Sequence, residues 1–151
     1  MRAICQRVTG ASVSVDGVEV GRIGTGLVVL VGVGAADSVA DAEVLAAKLV
    51  GLRVFRDGDR GFERSLVEVG GSMLAISQFT LFGDVRRGRR PSFAEAAGGP
   101  EAEPIYDAFV AAVEAAGVPV ATGVFGAMME VALTNDGPVT LVVEVVDGRV
   151  R

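Results

Sequence analysis

The sequence predicts an α+β fold in a single domain: a β-sheet or barrel-like core with two main helices. Three observations carry this. Valines alternate with polar or small residues around a two-residue turn in "ASVSVDGVEVGRIG". Two Ala-rich stretches place apolar residues at helical spacing. The remaining apolar runs are short, and no internal repeat or linker divides the 151 residues.

The elements follow in order. Ala3 to Val8 reads as a strand. Val13, Val15, Val18 and Val20 then form a hairpin whose turn is Asp16-Gly17. Leu27 to Val33 is apolar on both faces, as a fully buried strand is. "SVADAEVLAAKLVGLR" reads as a helix with Ser38 as N-cap, Leu45, Leu49 and Leu52 on one stripe, and Gly51 as C-cap. "EPIYDAFVAAVEAAG" reads as a second helix, with Pro104 in its first turn, a stripe of Tyr106, Phe109, Val110 and Val113, and Gly117 as its stop. Strands are expected at Val118–Gly123, Met128–Leu133 and Val139–Val146. Residues 1–147 are expected to form the domain and 148–151 a short tail. Two helices cover only part of such a sheet, so an open apolar face favours a second subunit.

Composition excludes several chemistries. There is no histidine, which removes Ser-His-Asp and Cys-His nucleophile arrangements and most zinc sites. Cys5 is the lone cysteine, so no internal disulfide forms and the cytosol is the expected compartment. "MRAICQRVTG" has no continuous apolar region of a signal peptide, and "GLVVLVGVGAA" is too short to span a bilayer. No "GxxxxGK[ST]" loop is present, and "GVGAAD" is a poor dinucleotide fingerprint. No acidic cluster has metal-loop spacing. The net charge of −5 argues against a grip on long nucleic acid, DNA included, yet "RRGRR" gathers Arg86, Arg87, Arg89 and Arg90 in one short segment.

Two stretches stand out. In "ISQFTLFG" an extended chain puts Gln78 and Thr80 on one face, Ser77 and Phe79 on the other. Either these polar groups bond neighbouring backbone, or they serve a site without histidine. "NDGPVT", Asn135 to Thr140, reads as an ordinary turn between strands, with Pro138 trans or cis. The arginine run reads as a solvated loop or as a contact for phosphates.

Taken in order, "MRAICQRV", "SQFTLFGD", "GRRPSF", "FGAMMEV" and "NDGPVT" closely resemble the D-aminoacyl-tRNA deacylase family over nearly the whole chain. The resemblance implies cleavage of the ester joining a D-amino acid to the terminal adenosine of tRNA, and removal of glycine mischarged onto tRNA for alanine. It implies a homodimer with its active site at the interface, without metal or cofactor and away from membranes. Gly137-Pro138 would be cis, reach into the partner's site and exclude L-amino acids. Ser77, Gln78, Phe79 and Thr80 would shape the pocket, the reactive hydroxyl being the 2′-hydroxyl of the tRNA. Arg7 matches an arginine that fixes the glycine-proline pair, Asn135 belongs to the same motif, and Met129 matches a position near the adenosine. Arg86, Arg87, Arg89 and Arg90 would meet tRNA phosphates. Met128 departs from the acidic residue that relatives often carry. A binding or assembly module without turnover, and a small-molecule esterase, are the rival readings.

Overall fold

The computed structural model describes residues 1–151. Its strands are β1 (Arg2–Val15), β2 (Val18–Ile23), β3 (Gly26–Gly32), β4 (Phe55–Asp57), β5 (Arg60–Arg64), β6 (Ser72–Ser77), β7 (Val120–Thr122), β8 (Glu130–Val146) and β9 (Arg149–Val150), and its helices are α1 (Val39–Gly51) and α2 (Gly99–Ala115). A single seven-stranded mixed sheet runs β7-β6-β3-β1-β8-β9, with β2 also on β1. β3–β6 and β6–β7 are parallel, and a helix lies in each connection, as parallel pairs require.

β1 is the spine. One edge takes β3 along Arg2–Val8 and then β2 along Ala11–Val15; the other takes β8 from Arg2 to Ser14. The expected separate strand and hairpin are therefore one strand, because β8 holds the far edge past Thr9 and Gly10. The Asp16-Gly17 turn is as expected, both residues having positive φ (49° and 78°).

The sheet curls until β2 meets β7. A Cβ on Gly21 would come within 2.7 Å of the Thr122 carbonyl oxygen, so only glycine permits this approach. Alternation then sorts the apolar residues into two cores. Val8, Ala11, Val13, Ile23, Val28, Leu74 and Ile76 point into the barrel. Ala3, Cys5, Leu27, Val29, Val31, Met73 and Ala75 point outward, under Leu45, Leu49, Phe109 and Val113 of the helices. β3 is apolar on both faces because each face serves one core.

Three expectations about the helices and terminus change. Gly51 is the last helical residue and extended Leu52 is the C-cap, donating its N–H to Leu49 O (3.3 Å). α2 begins at Gly99 with Pro100 in its first turn, and Pro104 lies inside. Pro104 forfeits only the bond to the Pro100 carbonyl, a loss the buried Tyr106–Phe109–Val113 stripe outweighs. Residues 149–150 are paired with β8 as strand β9. The β4–β5 hairpin, unforeseen, completes the element order. No helix is long and apolar enough to cross a membrane.

Asp41 joins α1 to the chain's last residues. Its carboxylate accepts the Ser38 hydroxyl (2.7 Å), the Ser38 N–H (2.9 Å) and the Gly148 N–H (2.8 Å), while only 4% exposed. Burial pushes the carboxyl up, but those bonds outweigh it and hold it below its ordinary value. A depressed folded pKa stabilises above the unfolded value and is lost as pH falls through the folded one. Asp41→Asn should cost about 1–3 kcal/mol at pH 7. The gap from wild type should narrow as pH drops below about 4, where the unfolded carboxyl protonates; urea unfolding at pH 7 and pH 3 reads both.

Candidate functional site

Extended structure stops at Ser77. There β3, the pairing partner, ends at Gly32, and the last inter-strand bond runs from Gln78 N–H to Val31 O (2.7 Å). Phe79–Phe82 then form a 3₁₀ turn, with Leu81 N–H to Gln78 O (3.3 Å) and Gly83 N–H to Thr80 O (3.0 Å). The alternation expected for residues 76–81 thus fails past Ser77. Gln78 and Thr80 meet through the turn instead, the Gln78 amide donating to Thr80 Oγ1.

The turn is fastened from below. Phe82 is buried against Gly32, and the Arg2 guanidinium lies 4.6 Å from its ring centroid. Arg2 also donates to Leu81 O (3.1 Å) and pairs with Glu144 (2.8 Å). Phe79 and Thr80 remain exposed. Phe79 leans edge-to-face on Phe93, centroids 5.0 Å apart, which joins "SQFTLF" to "GRRPSF". A cleft of about 370 Å³ opens beside the turn among Arg2, Phe82, Asp84, Arg86 and Glu95. Thr80 itself does not line it.

"NDGPVT" is not a turn between two strands. Asn135 pairs with Val8 and Thr140 with Gln6, so Arg7 alone faces the four residues Asp136–Val139. They loop out of β8 while both flanks stay on β1. Asn135 closes the neck: its Oδ1 accepts the Val139 N–H (2.7 Å), and its Nδ2 donates to Val139 O and Thr140 Oγ1 (3.1 Å each). Arg7, 4% exposed, donates from Nε to Asp136 O (2.9 Å) and from Nη1 to Val54 O, and lies 3.2 Å from the Asp136 carboxylate. Gly137 has φ +148°, and a Cβ there would meet Val139 N at 2.7 Å. The Gly137-Pro138 bond is cis, and both residues are exposed. Sequence reasoning missed two neighbours of Arg7: Val54, and Phe62, whose ring lies 6.0 Å from the guanidinium.

These two halves lie apart within one chain. Ser77 is in register with Val31 and hence Ala3, whereas the loop-out sits at Arg7. Four residues along β1 and three strand positions across the sheet separate them. Met129 packs against the barrel core, its sulfur where a Gly123 Cβ would be, and Met128 is 90% exposed. In the arginine segment, Arg87, Arg89 and Arg90 are exposed without an ion pair, while Arg86 grips Asp84 (2.8 Å) and pulls its carboxyl down to about 2. No three His, Cys, Asp or Glu side chains converge as a metal site would need.

Comparison with known proteins gives a consistent answer. The family described as D-Tyr-tRNA(Tyr) deacylase matches residues 4–144. The D-aminoacyl-tRNA deacylase of Chloroflexus aurantiacus is 57% identical over 144 residues, covering 95% of this chain and 90% of the relative. That of Thermus aquaticus is 55% identical, covering 95% of each. A solved structure titled "c-Myc DNA Unwinding Element Binding Protein" superimposes with a TM-score of 0.91 at 37% identity, over 96% of this chain and 99% of its own. A second, titled as a probable eukaryotic D-amino acid tRNA deacylase, shares the fold with a TM-score of 0.80 at 20% identity, over 93% of this chain and 97% of its own. Fold and similarity together define a hydrolase of the deacylase class. The chain belongs to the D-Tyr-tRNA(Tyr) deacylase family.

The Arg7 geometry yields a prediction. Arg7→Lys keeps the charge but cannot reach Asp136 O and Val54 O with one fork. It should cost about 1–3 kcal/mol, the penalty for a buried acceptor left unpaired. Amide exchange at Val139 should rise severalfold; unchanged exchange there would mean Arg7 does not hold the loop-out.

Proposed function

We propose that this chain hydrolyses the ester between a D-amino acid and the terminal adenosine of tRNA, and removes glycine from tRNA for alanine. It would do so in the cytoplasm as a homodimer, each subunit's Gly137-Pro138 completing the other's site. One observation supports this most. A main-chain tip, stapled by Arg7 and Asn135, stands exposed three strand positions across the sheet from the Ser77–Thr80 turn of its own chain. Such a tip can serve the turn of a second copy.

Handedness then becomes a question of shape. An L- and a D-residue differ in where the side chain leaves Cα. A fixed backbone wall on the L side rejects every L-residue and lets a D side chain point away. Glycine, with no Cβ, passes. Each tenfold of discrimination needs about 1.4 kcal/mol, which one overlap with an unyielding backbone can exceed.

The chemistry uses the RNA. Thr80 Oγ1 is bonded to the Gln78 amide and has no carboxylate or imidazole beside it to take its proton. A hydroxyl so placed positions the ester better than it attacks it. The adjacent 2′-hydroxyl of the terminal adenosine is held near the carbonyl by the substrate's own geometry, where it can orient and activate a water. The water oxygen bonds to the carbonyl carbon, the bond to the 3′-oxygen breaks, and the proton the water gives up passes to that leaving oxygen, an arrangement whose positioning is worth several orders of magnitude. Backbone donors of the turn would stabilise the developing oxyanion.

The test is deacylation of D-tyrosyl-tRNA and L-tyrosyl-tRNA by purified protein. Hydrolysis of the D-ester with the L-ester spared is expected. Substrate ending in 2′-deoxyadenosine should resist, while Thr80→Ala should retain activity within about tenfold. Binding of tRNA without turnover would instead make the chain an RNA-binding module. Loss of activity in Thr80→Ala with the deoxy substrate still cut would make Thr80 the nucleophile.

A further inference from the structure

The arginine segment is not four equivalent charges. Its neck is closed by two backbone bonds, Asp84 N–H to Ser92 O (2.7 Å) and Ser92 N–H to Asp84 O (2.9 Å). Inside the neck, Asp84 Oδ1 accepts both the Arg86 backbone N–H (2.9 Å) and Arg86 Nε (2.8 Å), and Oδ2 accepts Nη2 (2.8 Å). The two-pronged edge of Arg86, the edge that would grip a phosphate, is therefore occupied. Beyond it the chain reverses at Gly88, whose φ is +72° with nothing near a Cβ position, so this glycine serves the turn and not a contact. Arg87 and Arg89 flank the reversal, Arg90 follows, and all three are exposed and unpaired.

Both ends of the loop are tied to the turn that carries Thr80. Gly83 closes that turn and leads directly into Asp84, while Phe93, just past the neck, packs on Phe79. A cationic tip mounted there lies next to whatever occupies the turn.

We infer that Arg87, Arg89 and Arg90 form the surface that contacts acceptor-end phosphates of tRNA, and that Asp84 with Arg86 is a brace that presents this tip without touching the RNA. The inference rests on the tRNA-ester reading above. It divides one run of like residues into three ligands and one positioning residue, which sequence alone cannot do.

Salt dependence separates the roles, because each phosphate neutralised adds about 0.7–0.9 to the slope of log affinity against log salt. Binding of uncharged tRNA is measured from 50 to 200 mM salt for wild type and single variants. Arg87→Ala, Arg89→Ala and Arg90→Ala should each lower the slope by about that amount. Arg86→Ala and Asp84→Asn should weaken binding severalfold at every salt concentration with the slope unchanged. An exposed pair of this kind adds little to stability, so the variants fold. A slope decrease in Arg86→Ala equal to that of its neighbours would make it a fourth ligand and overturn the brace. So would no change in either affinity or slope, which would make the pair idle. Unchanged slopes in the other three would remove the loop from the RNA surface while leaving the D-ester assay intact. Absence of wild-type binding together with absence of D-ester hydrolysis would overturn the underlying reading itself.

Discussion

A guanidinium that is 4% exposed must use its donors on the protein, since a buried charge left unpaired is expensive. Arg7 uses them on main chain: the Asp136 carbonyl on one side and the Val54 carbonyl on the other, with the Asp136 carboxylate adjacent. That choice couples three segments distant in sequence. The β8 loop-out cannot move away from β1 without stranding the charge. The irregular link from α1 into β4 is held by the same group at Val54. Asn135, bonded across the base of the loop-out, removes the remaining freedom. An exposed piece of irregular backbone is thereby tied firmly to the sheet.

The barrel supplies the rigid reference frame. Its interior is small, seven buried side chains, and closes only because Gly21 lets β2 reach Thr122. The outer core under the helices is larger and fixes β3 and β6, whose ends decide where the Ser77–Thr80 turn begins. The turn is then clamped by Arg2 from β1 and by Phe93 from the loop that follows. β1 therefore contributes to both halves of the candidate site, through Arg2 at one end and Arg7 further along. Period-two geometry prevents a slip between them, because a one-residue shift would turn the barrel's interior residues outward.

Local signals were legible in the sequence and long-range ones were not. The Asp16-Gly17 turn, the Ser38 start of α1, the Gly117 stop of α2 and the doubly apolar β3 are each fixed by residues within a few positions, and the structure agrees. The 3₁₀ turn at Phe79 depends on where β3 ends, at Gly32, 47 residues earlier in the chain and invisible in "SQFTLF" itself. The continuity of β8 depends on β1 accepting both flanks of "NDGPVT", whose Gly and Pro signal a break to any local reading. The β4–β5 hairpin is polar and exposed, so no alternation marks it. Motif resemblance found the candidate residues, but Val54, Phe62 and the Asp84–Arg86 pairing needed coordinates.

The arrangement explains why a chain lacking histidine can be suited to ester hydrolysis. On the proposed reading, in which the substrate carries its own hydroxyl beside the scissile carbonyl, the protein's task would reduce to holding and excluding, and both would favour backbone over side chain. A side chain rotates among rotamers and can yield to a wrong substrate. A four-residue main-chain tip fastened by a buried guanidinium and a bridging amide yields far less. The pairing that fastens the tip also sets it three strand positions across the sheet from its own turn. The stiffness of the tip and its placement on the sheet are then two consequences of one set of contacts around Arg7.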